Sequence, residues 1–329
     1  MYPLRDDIYS NDVPEEPTRA GFGRGLLAAG EENEAVVALC ADLTESTQMH
    51  LFKEKFPERF VEIGVAEQNL VTVASGMARA GKIPFTSSYA AFSPGRNWEQ
   101  IRTTATLNNQ PVKIVGSHAG VSVGPDGATH QMLEDIALMR VLPNMVVVAP
   151  GDSVEAEKAT RAIAKNGQPS YLRLAREKTP IFSTEDAPFE LGKAYVLKEG
   201  TDVSLLGTGT LSYQLLLAAK YLEQRGINAE VVHVPTIKPL DEETILASAR
   251  KTGRVVTAEE AQMAGGFGGV VTEFLSATLP MPIKRIGMAD RFGESGAPNE
   301  LLDYFGLTGE KMAEEIFRFT EEMPRYHQN

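Results

Sequence analysis

Near-continuous apolar, β-branched runs recur along the first half of the chain, at Val36–Cys40, Phe60–Ile63, Ile83–Phe85, Val112–Val115, Met145–Val148 and Tyr171–Leu174, and most are separated by stretches of helical spacing. A strand that is apolar at successive positions buries both faces, which is the habit of parallel strands covered by helices on either side. The pattern therefore predicts an α/β fold whose first domain is a six-stranded, mostly parallel sheet of βαβ units. Between Lys178 and Glu190 the periodicity lapses into KTPIFSTEDAPFE, which reads as an interdomain linker. A smaller five-stranded α/β sheet is expected beyond it, with strands at Lys193–Leu197, Val203–Leu206, Ala229–Val234, Arg254–Thr257 and Ile283–Ile286. Residues 1–17, with five acids and three prolines, read as an extended arm that hangs free or lies on a neighbour. The expected division is thus an arm over 1–17, a first domain over 18–187 and a second over 188–329.

Length and composition agree with two ordinary globular domains: 329 residues, 43% hydrophobic and 23% charged. Acids outnumber bases, 44 against 32, and the formal charge of -12 repels phosphate backbones and anionic membranes, so neither nucleic acid nor membrane is an expected partner. Cys40 is the single cysteine, which excludes an internal disulfide and a multi-cysteine zinc site. The start MYPLRDDIYS lacks the basic-then-apolar pattern of a secretory signal, and apolar stretches such as Met145–Ala149 and Leu215–Ala219 fall far short of the ~20 residues of a membrane span. A cytoplasmic protein is expected.

Several motifs carry no chemistry. GTGTLS at Gly207–Ser212 lacks the third glycine of a dinucleotide loop and the acid about 20 residues on, so it reads as a tight strand-to-helix turn. AGGFGG at Ala264–Gly269 lacks the Lys-Ser/Thr of a phosphate loop and reads as close backbone packing. His50, His118, His130, His233 and His327 form no metal-ligand spacing, and no G-x-S-x-G elbow is present, so zinc hydrolase and serine hydrolase chemistry are both excluded.

Three segments following expected strands do carry chemistry, because parallel sheets place their ligand loops there. VEIGVAEQN at Val61–Asn69 sets Glu67 at a helix start in an apolar setting; it is either a functional acid or one stabilised by the helix dipole. SSYAAFSPGR at Ser87–Arg96 offers Tyr89 and Phe92, which could wall a flat ligand or pack a core. GSHAGVSVGPDGATHQ at Gly116–Gln131 carries His118, Asp126 and His130 on a glycine-rich loop that cannot pack a core, although Asp126 could also fix its turn.

These segments, GVAEQN and VGPDGATHQ above all, resemble the C-terminal half of transketolase, and the whole looks like the C-terminal subunit of a split transketolase. The resemblance runs from about Thr18 to at least Ile286 and implies a thiamine pyrimidine-binding domain followed by a transketolase C-terminal domain. It implies thiamine diphosphate as cofactor, with Glu67 hydrogen-bonded to the pyrimidine nitrogen, where a carboxyl donor favours the imino form of the amino group opposite. An apolar pocket would favour the donating carboxyl. Tyr89 and Phe92 match the pyrimidine wall, and Asp42, in ADLTES, matches an aspartate near the cofactor across a subunit interface. Arg19, Ser46, His118 and Arg176 align with sugar-phosphate contacts, with Arg24, close to Arg19 in sequence, as the alternative to Arg19. Asp126 matches the reader of the donor hydroxyl, and His130 a histidine at the substrate's reacting end, which makes it the second catalytic candidate.

The GDG sequence of a diphosphate-binding domain is missing, and Gly151-Asp152-Ser153 reads as a helix cap. The resemblance therefore implies no metal ligands here. Magnesium or calcium would be held mainly by a partner N-terminal subunit, in an α2β2 heterotetramer that includes self-association. Around the glutamate the chain reads Ala66-Glu67-Gln68, a variant resembling deoxyxylulose phosphate synthase and split transketolases. The expected activity is two-carbon ketol transfer between sugar phosphates of the pentose phosphate type. The alternatives are a deoxyxylulose phosphate synthase-like subunit and a noncatalytic paralogue with a structural or regulatory role.

Overall fold

The computed structural model describes residues 2–326; His327 lies outside them. Fourteen strands run in chain order as β1 Glu15–Pro17, β2 Val36–Cys40, β3 Phe60–Glu62, β4 Ile83–Tyr89, β5 Lys113–Ser117, β6 Val146–Val148, β7 Ser170–Arg173, β8 Lys178–Pro180, β9 Tyr195–Lys198, β10 Val203–Gly207, β11 Ala229–His233, β12 Thr236–Lys238, β13 Val255–Gln262 and β14 Ile283–Met288. They build an α/β protein with a seven-stranded sheet in the order β12-β6-β7-β5-β4-β2-β3, a five-stranded sheet in the order β14-β13-β10-β11-β9, and a two-stranded ladder of β1 and β8.

The first sheet has one strand more than its own half of the chain supplies. The seventh, β12, comes from the second half and pairs antiparallel with β6. Its sequence, Thr236-Ile237-Lys238 between Pro235 and Pro239, has the look of a loop, and prolines flanking so short a strand confine it to a sheet edge, which is where it lies. The remaining six strands are parallel. β2, β5 and β6 are buried along their whole length, as a sheet covered on both faces requires.

Helix Thr18–Glu32 packs across helix Ser153–Lys165 so closely that a Cβ on Gly21 would overlap the Ser153 carbonyl. That second helix is capped by Asp152, whose Oδ1 accepts from Glu155 N at 2.9 Å and whose Oδ2 accepts from Phe182 N and Ser183 N. The N-terminal segment lies on its own chain and does not hang free. Tyr2 and Ile8 are buried in the core of the second sheet, and β1 pairs with β8 inside the stretch that reads as a linker. One core runs through both halves, joining Leu39, Leu70 and Ile114 to Leu206, Val232 and Phe267. No described helix is long and apolar enough to cross a membrane.

Both glycine-rich decoys resolve as structure. Gly209 N donates to Ala149 O at 3.1 Å in a tight turn after β10. The AGGFGG run opens helix Phe267–Thr278, whose first amides donate to the Glu259 carboxylate at 2.7 and 2.8 Å, so an internal carboxylate holds the place an anion would take. Desolvation, opposed by these amides, lifts Glu259 to about 7.

Candidate active site

Asp42 and Ser46 follow β2, Glu67 follows β3, Tyr89 ends β4, His118 follows β5 and Arg176 follows β7. Because these strands are parallel, all six residues emerge along one edge of the sheet. The chain runs outward from β2 to β3 and returns on the other side of β2 as β4, so the sheet order reverses at β2 and β4, and a crevice opens at such a point. Ser46 Oγ and the Tyr89 hydroxyl stand 2.8 Å apart across it.

One wall of the crevice is cationic. Arg19 Nε donates to Arg176 O at 3.1 Å and its Nη1 to Ser46 O at 2.5 Å, while Arg176 Nη1 donates to Val123 O at 2.6 Å. Arg24 is engaged elsewhere, by Glu16 at 2.8 and 2.9 Å and by Glu157 at 2.8 Å. Burial first and Arg176 second lower the Arg19 pKa. His118, 2% exposed and at φ +60°, shares a hydrogen bond of 2.8 Å with Ser117 through Nδ1. Burial, then the charges of Arg19, Arg176 and His130, push its imidazole down to about 3, so the ring is neutral at pH 7. An anion between the two arginines would offset the repulsion that burial does not cause. Inorganic phosphate or ribose 5-phosphate is therefore expected to raise the His118 pKa in part, read from its ring-proton NMR titration; an unchanged titration would separate His118 from the arginines.

The other wall is aromatic. Tyr89 stacks on His118 with centroids 3.8 Å apart and on Phe92 at 6.0 Å, and His130 presents its edge to Phe92 at 5.5 Å. Glu67, 2% exposed, opens helix Glu67–Arg79. Its Oε2 accepts from Arg96 Nη1 at 2.9 Å, and its carbonyl accepts from Asn97 Nδ2 at 2.8 Å. The Arg96 guanidinium in turn lies 4.7 Å over the Phe92 ring. This corrects the picture of Glu67 in a purely apolar pocket: an arginine at the end of the Tyr89 segment donates a hydrogen bond to its carboxyl group.

The structure thus joins Arg19, Ser46, Tyr89, Phe92, His118, His130 and Arg176 through direct contacts, and ties Glu67 to them through Arg96. Asp42 and Asp126 stand apart, both exposed. Asp42, at φ +58°, is fixed through its backbone amide by Glu62 at 2.8 Å. The Asp126 side chain makes no capping bond to the turn Gly127–Thr129, so the turn holds without it. Among the described residues no three His, Cys, Asp or Glu side chains gather to hold a metal ion.

Residues 15–181 match the family model of the transketolase pyrimidine-binding domain, and residues 192–312 that of the transketolase C-terminal domain. The chain belongs to the transketolase family. It is 45% identical to a "Putative transketolase C-terminal section" of Methanocaldococcus jannaschii, over 93% of this chain and 96% of that one. It is 41% identical to a 6-deoxy-6-sulfo-D-fructose transketolase subunit of a Clostridium species, over 90% and 92%. A solved split gene transketolase, described as an inactive beta4 tetramer, superposes with a TM-score of 0.88 at 43% identity, covering 94% of this chain and 99% of that one. The fold expected from the sequence is therefore that of the family, with the seventh strand added. Against a solved transketolase from Campylobacter jejuni the TM-score is 0.79 at 26% identity, and this chain spans 49% of that one.

Transketolases depend on thiamine diphosphate, and the residues present suit one end of it. A flat heteroaromatic ring matches the Tyr89–Phe92 wall and an acid beside it, and Ser87 Oγ and Ser88 Oγ, buried on β4, have no hydrogen-bond partner among the described residues. Sequence reading names Glu67 but overlooks Arg96 and Asn97, which fix it. Their signal is positional, since Arg96 ends the Tyr89 segment and Asn97 follows it.

Proposed function

We propose that the chain is the C-terminal subunit of a split transketolase that moves a two-carbon ketol unit between sugar phosphates and works with a separate N-terminal subunit. The observation that carries this reading is the meeting of two unlike walls in one crevice. A buried acid linked through Arg96 to stacked rings suits a pyrimidine, an arginine pair beside a neutral histidine suits a phosphate, and Tyr89 joins the rings to the histidine. The "transketolase subunit" names of relatives support it.

Thiamine diphosphate, when bound, supplies the carbon nucleophile that takes up the two-carbon unit. In this reading Glu67 holds a proton at the pyrimidine nitrogen, Tyr89 and Phe92 exclude water from the ring, and Asp42 is a second acid near the cofactor. Arg19, Ser46, His118 and Arg176 bind the sugar phosphate, His118 as a neutral group. His130 meets the reacting end of the substrate, and Asp126 reads the hydroxyl beside the donor ketone. The diphosphate and its magnesium or calcium ion belong to the partner, in an α2β2 assembly of the cytoplasm.

Because the Asp126 side chain makes no capping bond to its own turn, Asp126→Ala is expected to narrow the preference between donors of opposite configuration at that hydroxyl, measured as a ratio of kcat/KM values. Equal losses on both donors would assign it to the loop instead.

Deoxyxylulose phosphate synthase chemistry is the second reading. It is favoured by Ala66-Glu67-Gln68 and by a relative of that name in Trichormus variabilis, 36% identical over 94% of this chain and 49% of that one. Supplying the assembled enzyme with xylulose 5-phosphate and ribose 5-phosphate, or with pyruvate and glyceraldehyde 3-phosphate, decides between them. Ketol transfer without carbon dioxide is expected; carbon dioxide release from pyruvate would favour the second reading, and neither reaction would leave a noncatalytic paralogue.

A further inference from the structure

The loop that carries His118, Asp126 and His130 belongs to the first sheet, but its backbone is held by the second. Glu260, on β13, is 4% exposed, and its Oε1 accepts a hydrogen bond from Ser122 N at 2.6 Å. Ser122 sits in the turn Val121–Val123, between His118 and Asp126. Gly120, at φ +91°, presses against the same carboxylate so closely that a Cβ there would overlap Oε1.

The next carbonyl in the turn, Val123 O, accepts from Arg176 Nη1 at 2.6 Å, so the Glu260 contact also bears on an arginine of the cationic wall. Behind Glu260, its carbonyl accepts from Arg173 Nη2 at 2.8 Å, and Arg173 Nε shares Asp135 Oδ2 with the Tyr171 hydroxyl. The far end of the loop is tied in the same way, since Gln131 Nε2 donates to Val121 O and to Glu294 O, both at 2.9 Å. Desolvation raises the Glu260 pKa against the opposing charge of Arg173, and a carboxyl so buried is kept where its contacts require it.

We propose that Glu260 is a positioning residue of the C-terminal domain: by anchoring Ser122 N it sets where Asp126, His130 and Arg176 stand. This rests on the transketolase reading for the roles of those three side chains, but the anchoring itself does not. Glu67, Tyr89 and Phe92 stand on other segments and take no part in this chain of hydrogen bonds, although Tyr89 and Phe92 pack against His118 and His130.

The test uses Glu260→Ala, Glu260→Asp and Glu260→Gln in the full chain. Asp keeps the charge but withdraws the oxygen, and Gln keeps an acceptor at the same reach. In the chain alone, hydrogen exchange over residues 119–131 is expected to rise roughly tenfold or more in the Ala and Asp variants, the range of a lost charged hydrogen bond, with β2 and β4 unchanged and with recovery in the Gln variant. Unchanged exchange in the Asp variant, or a rise spread evenly over the whole first sheet, would overturn the proposal. In the assembled enzyme, KM for sugar phosphates should rise roughly tenfold in the Asp variant while thiamine diphosphate affinity holds within about twofold. Equal loss of both affinities would overturn the positioning role. A wild-type complex that fails to transfer ketol units would count against the transketolase reading, and the exchange result would still judge the anchor.

Discussion

Glu67→Gln in the assembled two-chain enzyme is expected to lower turnover by about 10²- to 10⁴-fold, the usual worth of one positioned acid or base. The substitution is close to isosteric, so the helix start at 67 and the carbonyl bond from Asn97 are kept. It removes only the carboxyl function at the atom that would share a proton with the pyrimidine. Arg96, half exposed, loses its ion-pair partner but reaches solvent, so the fold should survive. Turnover measured beside the thermal midpoint of the same preparation separates chemistry from folding. Near wild-type rates in a folded Gln variant would remove Glu67 from the chemistry, and equal loss of rate and of midpoint would make it structural.

Arg176→Ala is expected to raise KM for phosphorylated acceptors by roughly ten- to hundredfold, corresponding to ~1.5–3 kcal/mol for a hydrogen bond to a charged group. An unphosphorylated acceptor such as glycolaldehyde should be affected far less, since it offers no anion to the Arg19–Arg176 pair. Arg176 also holds Val123 O, and part of any loss on glycolaldehyde reports that loop contact. The ratio of the two KM changes is therefore the quantity to measure. A ratio near one would mean that Arg176 serves the loop and not the phosphate.

Residues that share an element with the apolar pattern are the ones the sequence makes legible. β2 and β6 announce themselves by unbroken apolar runs, and the loops after parallel strands then mark Glu67, Tyr89 and His118 as candidates before any coordinate is known. Two kinds of feature escape. β12 is three residues between prolines, and its place in the first sheet depends on packing between the two halves, which no local pattern encodes. β13 reads as ending at Thr257 because Glu259 and Glu260 interrupt the apolar run, although the strand continues to Gln262 with both acids buried. Those acids are tolerated through long-range partners, helix amides for Glu259 and Ser122 N for Glu260, and long-range partners are what a linear sequence hides. Arg96 escapes for the same reason, since its bond to Glu67 spans 29 residues.

In the proposed reading Glu67 and the aromatic wall would serve one end of thiamine diphosphate, and a partner subunit would hold the diphosphate and its metal. Calorimetric titration of thiamine diphosphate with magnesium, into this chain alone and into its complex with an N-terminal transketolase subunit, tests that division of labour most directly. Saturable binding in the complex, with weak or no binding to the chain alone and loss of affinity in the complex on Glu67→Ala, is the expected result. Tight binding by the chain alone, or a complex indifferent to Glu67, would contradict it.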